Sequence, residues 1–207
     1  MSVEVERKFL VCRDDWRELA TSRMSIRQSY LTSDGKASAR VRIKGDGTAT
    51  LTIKSRDAGL RRLELEYAIP ILDAEALMQL RQGCVVEKER YVVPQSGLAW
   101  EIDVFSGENV GLIIAEIELF YEHQQIEVPR WIGAEVTGQA RYYNSSLAQR
   151  PFCSWPQQDR PMPVEKLAST SSNADRGATR RASSTFIGDD EAEACANGNG
   201  DQGEAVR

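Results

Sequence analysis

The sequence is poor in several features on which common functions depend. It has one His and four Cys among 207 residues, and no two cysteines form a CxxC pair. We therefore expect free thiols in a reducing cytoplasm, not disulfides or zinc ligands. No apolar run approaches the roughly 20 residues of a membrane-spanning helix. Acidic residues near the N-terminus stand where a signal peptide has its basic start. These absences predict a cytoplasmic protein with no membrane partner.

An excess of positive charge is also absent. Lys and Arg number 26 against 31 Asp and Glu, and the net charge is −5. This balance argues against a nucleic-acid partner. The sequence contains no GxxxxGK[ST], GxGxxG, GxSxG or HExxH motif. The single His123 lies among Glu and Gln residues and is expected at the surface.

The composition changes near Trp155 and predicts two parts of the chain. Residues 156–207 contain one aromatic residue, Phe186, and are rich in Ser, Ala, Gly and Asp. Such a segment has too little apolar surface to offset the entropy lost on ordering. We predict a folded domain over residues 1–155 and a disordered, low-complexity tail over residues 156–207.

The folded part is predicted to be mainly β-structure with a few helices. Apolar and polar residues alternate with a period of two in eight segments, with turn signals between them. These segments are residues 3–11, 27–31, 39–43, 48–54, 62–69, 87–93, 99–105 and 111–120. Short helices are expected at 14–20, around Trp131 and at 144–149, and a longer one from Asp73 as N-cap to a stop at Gly83. The pattern favours a closed antiparallel barrel or a two-sheet sandwich.

Charged residues fill one face of most of these segments. Alternate residues of a strand share a face, so Glu4, Glu6 and Lys8 lie opposite Val5 and Phe9. The solvent face of an ordinary sandwich would explain this alternation, whereas strands facing one another would enclose a charged lumen. The cations on these faces, with one from a later segment, are Lys8, Arg40, Arg42, Lys54, Arg62, Lys88, Arg90 and Arg141. The acids are Glu4, Glu6, Glu64, Glu66, Glu101, Asp103, Glu116 and Glu118.

The repeated Glu-x-Glu pattern favours the lumen. On these faces it occurs at Glu4/Glu6, Glu64/Glu66 and Glu116/Glu118, and carboxylates about 7 Å apart repel by roughly 2 kcal/mol at an effective dielectric constant near 20. Cations or a metal ion would remove this cost. Carboxylates are ligands of Mg²⁺ and Mn²⁺, and Arg and Lys bind phosphate oxygens. The pattern therefore predicts a site for a polyanion that arrives with divalent cations.

The order of these motifs resembles the CYTH domains, also called triphosphate tunnel metalloenzymes, and in particular the small bacterial inorganic triphosphatases. The resemblance begins with the ExExK signature at residues 4–8 and extends over residues 1–150. It continues through residues 28–31, 40–42, 52–54, 62–67, 87–91, 100–105, 115–119, 135–137 and 141–145. It implies an eight-stranded antiparallel β-barrel tunnel with a charged lumen and a few flanking helices.

The resemblance also implies roles for individual residues. Metal ligands would be Glu4, Glu6, Glu116 and Glu118, with Asp103 in support. The phosphates would bind Arg40, Arg42, Lys54, Arg62, Lys88, Arg90 and Arg141. Lys8, Lys88 and Glu118 would serve catalysis directly. The roles of Glu64 and Glu66 stay open between orienting cations and holding a second ion.

The implied activity is metal-dependent hydrolysis of a triphosphate, first of all inorganic tripolyphosphate to pyrophosphate and phosphate. The cofactor would be Mg²⁺ or Mn²⁺, and the partner a small-molecule triphosphate or polyphosphate. The alternatives are a class IV adenylate cyclase, a thiamine triphosphatase and a non-catalytic polyphosphate-binding module. The cyclase would need a purine pocket, to which no segment can be assigned, and a binding module could lose acids that are all present here. A monomer or a homodimer is expected.

Overall fold

The computed structural model describes residues 5–32, 37–55, 64–162 and 164. These ranges contain nine β-strands, two α-helices and five short 3₁₀-helices. The strands are β1 (Val5–Val11), β2 (Ser22–Thr32), β3 (Ala37–Lys44), β4 (Ala49–Ser55), β5 (Glu64–Ala68), β6 (Gln82–Gln95), β7 (Leu98–Phe105), β8 (Ile113–Leu119) and β9 (Ile132–Glu135). The α-helices are α1 (Ile71–Gln79) and α2 (Asn144–Gln149), and the 3₁₀-helices are Asp15–Leu19, Gly107–Asn109, Ala140–Tyr142, Phe152–Ser154 and Gln157–Asp159.

All nine strands belong to one antiparallel sheet in the order β5-β4-β3-β2-β6-β7-β8-β1-β9. The mainly β, antiparallel fold is therefore confirmed, and the eight predicted segments coincide with β1 to β8. The closed eight-stranded barrel is not confirmed, because no backbone ladder joins β5 to β9 within the described ranges. The physical reason is the additional strand, because β9 pairs with β1 through Phe9 and Val11. It thereby occupies the edge of β1 that closure onto β5 would require.

Apolar residues form the core on the outer face of the sheet. Trp100 stacks edge-on against Phe9 and Trp131, with ring centroids 5.5 Å apart in both pairs. The 3₁₀-helix Asp15–Leu19 adds Trp16, which is completely buried, and α2 buries Leu147 in a second cluster. Helix α1 covers a third cluster around Val41 and Met78. Because the helices and loops cover this face, the charged residues are left on the other one.

Two helix predictions need correction. The segment after Trp131 is strand β9, because Ile132 pairs with Val11 of β1. Helix α1 begins after Pro70, and Asp73 lies in its first turn, where a negative charge is favoured by the helix dipole. The helix ends at Gln79, before Gly83, which has a φ of +76° and lies in β6. An added Cβ at Gly83 would collide with the Ala148 carbonyl group. The predicted helix at 144–149 is α2.

The described residues extend slightly beyond the predicted domain boundary. Arg160 donates hydrogen bonds to the backbone oxygens of Trp155 (3.0 Å) and Cys153 (2.6 Å), so residues 156–160 contact the folded part. Residues 163 and 165–207 lie outside the described ranges, and the disordered tail stays a prediction. Cys12, Cys84 and Cys153 are free thiols. Helices long and apolar enough to cross a membrane are absent from the described ranges.

Candidate active site

Strands β1, β7 and β8 bring acidic residues together on the charged face. The register places Glu6 opposite Glu118 and Lys8 opposite Glu116, and Glu101 also faces Glu116. We call Glu6, Glu101, Glu116 and Glu118 the acidic side. Like charges directly opposite one another destabilise a sheet, so this side requires cations.

Lys8 supplies one of these cations. It is buried, and its Nζ forms ion pairs with Glu116 and, at 2.8 Å, with Glu6. Burial alone would lower the pKa of Lys8, but the charges of Glu116 and Glu6 and the hydrogen bonds to them outweigh it, so this pKa is raised. Lys8 is therefore a cation held among the acidic residues.

A buried ion cluster, formed by Lys88, Arg90, Asp103 and Glu116, lies at the centre of the charged face. Arg90 donates from Nε and Nη2 to the two oxygens of Asp103, at 2.7 Å each, and from Nη2 to Glu116 at 2.8 Å. Its third ion pair is with Glu101. Burial opposes the positive charge, yet the hydrogen bonds and charges of these acids raise the pKa of Arg90. The cluster joins β6, β7 and β8.

Asp103 acts in this cluster as a counterion. Its side chain is almost inaccessible, and both carboxylate oxygens accept hydrogen bonds from Lys88 or Arg90. Burial would raise its pKa, but the charge of Lys88 and the hydrogen bonds from Arg90 lower it. Lys88 is fully buried, and burial lowers its pKa despite the nearby Asp103. These contacts do not favour the predicted role of Asp103 as a supporting metal ligand.

Strands β3 and β4 carry cations on the charged face. We call Arg40, Arg42 and Lys54 the basic side. Arg40 donates to the Thr52 hydroxyl at 3.1 Å, and Arg42 donates to the Gln28 side-chain oxygen at 3.1 Å. Burial, and then the charges of Arg40 and Arg90, lower the pKa of Arg42. An anion placed between these groups would relieve that repulsion.

Two acidic residues of β5, Glu64 and Glu66, lie beside the basic side. Glu66 accepts a hydrogen bond from Thr52 at 2.8 Å and lies 3.7 Å from Arg40. Glu64 forms an ion pair with Lys54 at 2.8 Å. Glu64 and Glu66 are therefore direct partners of the basic side, through an ion pair with Lys54 and contacts with Thr52 and Arg40.

A cavity of about 470 Å³ lies on the charged face and joins the two sides. Glu6 and Lys8 of β1 line it together with Arg40 of β3 and Lys54 of β4. Strands β1 and β3 are separated by four others in the sheet, so the sheet curls around this space. The Nε of Arg40 is buried and has no hydrogen-bond partner within the described ranges. Because a buried donor without an acceptor is costly and Arg40 also lines the cavity, its guanidinium group is a candidate ligand for an anion.

Some predicted site residues lie elsewhere. Arg141 stacks over Trp155, with 4.0 Å between the guanidinium carbon and the ring centroid, and lies 3.6 Å from Asp159. Its side chain does not belong to the lining of the cavity in the part of the chain that is described. Glu4 and Arg62 lie outside the described ranges. His123 is exposed, as expected.

The metal-ligand set is likewise only partly described. Among the residues that the structure describes, no three Asp, Glu, His or Cys side chains form a group that could hold a metal ion. Glu116 accepts hydrogen bonds from Lys8 and Arg90 through its two oxygens. Glu6 and Glu118 lie opposite one another and provide the hard oxygen donors that Mg²⁺ and Mn²⁺ prefer.

Sequence reasoning missed several polar residues of the cavity wall. These are Tyr30, Ser38, Thr137, Asn144 and Ser145. A signal existed for Tyr30, which is paired in register with Arg40 and therefore shares its face. The residues between β9 and α2 follow no strand period, so alternation could not identify them.

The fold and the cavity define a class of antiparallel β proteins in which acidic and basic side chains line the same cavity. The sequence matches the CYTH domain over residues 2–152, and the chain belongs to this family. An inorganic triphosphatase of Acetivibrio thermocellus is 44% identical over 153 residues, covering 73% of this chain and 97% of the relative. An inorganic triphosphatase of Nitrosomonas europaea is 37% identical over 149 residues, covering 70% and 96%.

A solved structure agrees with this assignment. The crystal structure of an inorganic triphosphatase aligns with a TM-score of 0.58 and 35% identity, covering 72% of this chain and 96% of the other. The predicted family is therefore confirmed. Both curated relatives are aligned over nearly their whole length, so the match spans the domain and not a fragment of it.

Proposed function

We propose that this protein hydrolyses inorganic tripolyphosphate to pyrophosphate and phosphate with the help of Mg²⁺ or Mn²⁺. The observation that carries the proposal is that Glu6 and Lys8 on one wall and Arg40 and Lys54 on another line the same cavity. The inorganic triphosphatase names of the two curated relatives support the choice of substrate. We infer a cytoplasmic enzyme, a monomer or a homodimer, that acts on a small molecule and has no nucleic-acid partner.

The basic side supports binding of the phosphates. Arg40 has a buried, unpartnered Nε in the described part of the chain, and the lowered pKa of Arg42 reports on burial and on neighbouring cations. A polyphosphate would supply oxygens to both guanidinium groups and to Lys54. Arg40, Arg42 and Lys54 would therefore offset charge that a tripolyphosphate carries, with Arg62 and Arg90 as further candidates. We leave Arg141 out of this set because its side chain is held on Trp155.

The acidic side supports the choice of cofactor. Glu4, Glu6 and Glu118 would hold the metal, with Glu116 beside them. A bound metal would neutralise phosphate charge and lower the pKa of a water molecule. During hydrolysis a water oxygen bonds to the terminal phosphorus, the bridging P–O bond breaks with pyrophosphate as the leaving group, and one proton of the water passes to the solvent. Lys8 and Lys88 would stabilise the increasing negative charge, and Glu118 would orient the water.

A substrate panel tests the proposal. Tripolyphosphate, ATP, thiamine triphosphate and long-chain polyphosphate are each supplied with Mg²⁺ or Mn²⁺, and phosphate and cyclic AMP are measured. We expect kcat/KM for tripolyphosphate to exceed that for ATP by about tenfold or more, since the cavity wall is matched to phosphates. Equal efficiency with ATP would contradict the substrate choice, and cyclic AMP would indicate the cyclase instead.

A further inference from the structure

Asn144, the first residue of α2, makes a contact that the proposed metal and phosphate ligands do not explain. It lines the cavity, and its Oδ1 lies 3.5 Å from the Nζ of the buried Lys88. We infer that Asn144 is a further substrate-binding residue, whose side-chain amide donates a hydrogen bond to a phosphate oxygen. This inference rests on the proposed function and adds a neutral donor to its cations.

The contact with Lys88 determines which end of the amide faces the cavity. A lysine ammonium group can only donate hydrogen bonds, so it attracts the oxygen of Asn144 and repels the NH₂ group. The Nδ2 atom therefore points away from Lys88. In the described part of the chain it donates no hydrogen bond of its own. A donor without an acceptor at a cavity wall is suited to a phosphate oxygen.

The backbone around Asn144 is held firmly. The N–H groups of Ser146 and Leu147 donate to the Tyr143 carbonyl oxygen, each at 2.9 Å, and Leu147 is completely buried. Tyr143 and Ser145 also line the cavity. The backbone that carries the amide is thus a packed turn beside the cavity.

Compensation of the buried Lys88 charge does not by itself explain why residue 144 is an asparagine. Lys88 already forms an ion pair with Asp103. If residue 144 served only to compensate the buried ammonium group, a carboxylate would do so better than an amide. An asparagine instead keeps an oxygen for Lys88 and an NH₂ group for an acceptor in the cavity. The phosphate oxygens of the proposed substrate are such acceptors.

Two substitutions at this position separate the two roles. Asn144→Asp keeps an oxygen for Lys88 but presents a negative charge to the phosphates, whereas Asn144→Ala removes both contacts. We expect KM for tripolyphosphate to rise about tenfold in the alanine variant and about tenfold further in the aspartate variant. The dissociation constant in EDTA, measured by calorimetry, should rank the three proteins in the same order. Ser146→Ala, in the same helix but outside the cavity lining, is the matched control and should behave as the wild type.

The outcomes distinguish this inference from the proposed function. If Asn144 does not contact the substrate, Asn144→Ala binds tripolyphosphate as tightly as the wild type, and that result would overturn the inference. Melting temperatures near the wild-type value confirm that the variants fold. If the wild-type protein neither binds nor hydrolyses tripolyphosphate, the proposed function fails, and the inference fails with it.

Discussion

The acidic and basic sides of the cavity differ in how their charges are compensated. On the acidic side, Glu116 is neutralised by Lys8 and Arg90 within the protein. On the basic side, Arg42 donates to the neutral Gln28, and the Nε of Arg40 has no partner in the described ranges. This difference indicates that the two sides of the cavity have different functions. Internal ion pairs neutralise Glu116 on the acidic side, whereas on the basic side only Arg40 and Lys54 have acidic partners among the described residues, and the proposed substrate would supply oxygens to Arg40 and Arg42.

The buried ion cluster should be the most sensitive to substitution. Asp103→Ala leaves the fully buried Lys88 without its counterion. Removing one partner of a buried pair costs about 3–5 kcal/mol, and we expect a loss of this size in the free energy of unfolding, measured with urea. The double variant Lys88→Met with Asp103→Leu should recover much of it, because no unpaired charge remains.

The matched control for the cluster is the exposed ion pair of Arg7 and Glu135. These side chains make two hydrogen bonds, at 2.9 and 2.6 Å, but are 30% and 40% exposed. Glu135→Ala should therefore lower stability by less than about 1 kcal/mol. Equal losses in Asp103→Ala and Glu135→Ala would show that the cluster does not organise the acidic side.

The acidic side should control metal-dependent turnover without controlling the fold. In Glu6→Gln we expect kcat/KM with Mg²⁺ to fall about 1,000-fold, because one proposed carboxylate ligand of the metal is lost. The melting temperature should change little, since the substitution also relieves the repulsion between Glu6 and the opposing Glu118. Glu89→Gln neutralises an acid on the outer face of the same sheet and is the control. Activity within a few-fold of wild type would remove Glu6 from the metal site.

The basic side should control activity with no loss of stability. Arg42→Ala removes a cation whose pKa is lowered by burial and by Arg40 and Arg90. We expect kcat/KM for tripolyphosphate to fall about 100-fold, and stability to stay constant or increase. Arg23 is paired with Glu89 and its side chain is 66% exposed, so Arg23→Ala should leave both quantities unchanged. A stability loss in Arg42→Ala comparable to that in Asp103→Ala would contradict the division between the two sides.

The strand faces were predictable from sequence, whereas contacts between distant segments were not. Alternation places Glu6 and Lys8 on one face and Phe9 on the other, because side chains of a strand alternate strictly. The same pattern cannot show that Arg90 is paired in register with Asp103, so the ion pairs of Asp103 were not predicted. It also cannot reveal that Arg141 stacks on Trp155 or that β9 occupies the free edge of β1, since these depend on loops.

The smallest effect that we predict concerns acid stability. Burial opposes ionisation of Asp103, but the charge of Lys88 and the hydrogen bonds from Arg90 outweigh it and lower its pKa from 3.8 to about 2. As the pH falls, the unfolded chain therefore binds this proton before the folded protein does. Stability should be fully present above about pH 4 and decrease by roughly 2 kcal/mol as the pH falls toward 2.

Two measurements test whether this acid sensitivity comes from the buried ion cluster: unfolding in high salt and unfolding of a variant without Lys88 and Asp103. The hydrogen bond from Arg7 also lowers the pKa of Glu135, but that pair is exposed and its contribution should disappear in high salt. The contribution of Asp103 should persist in salt and be absent from the double variant Lys88→Met with Asp103→Leu. Urea unfolding at several pH values measures both. An acid-dependent loss that salt abolishes would instead assign it to surface charges.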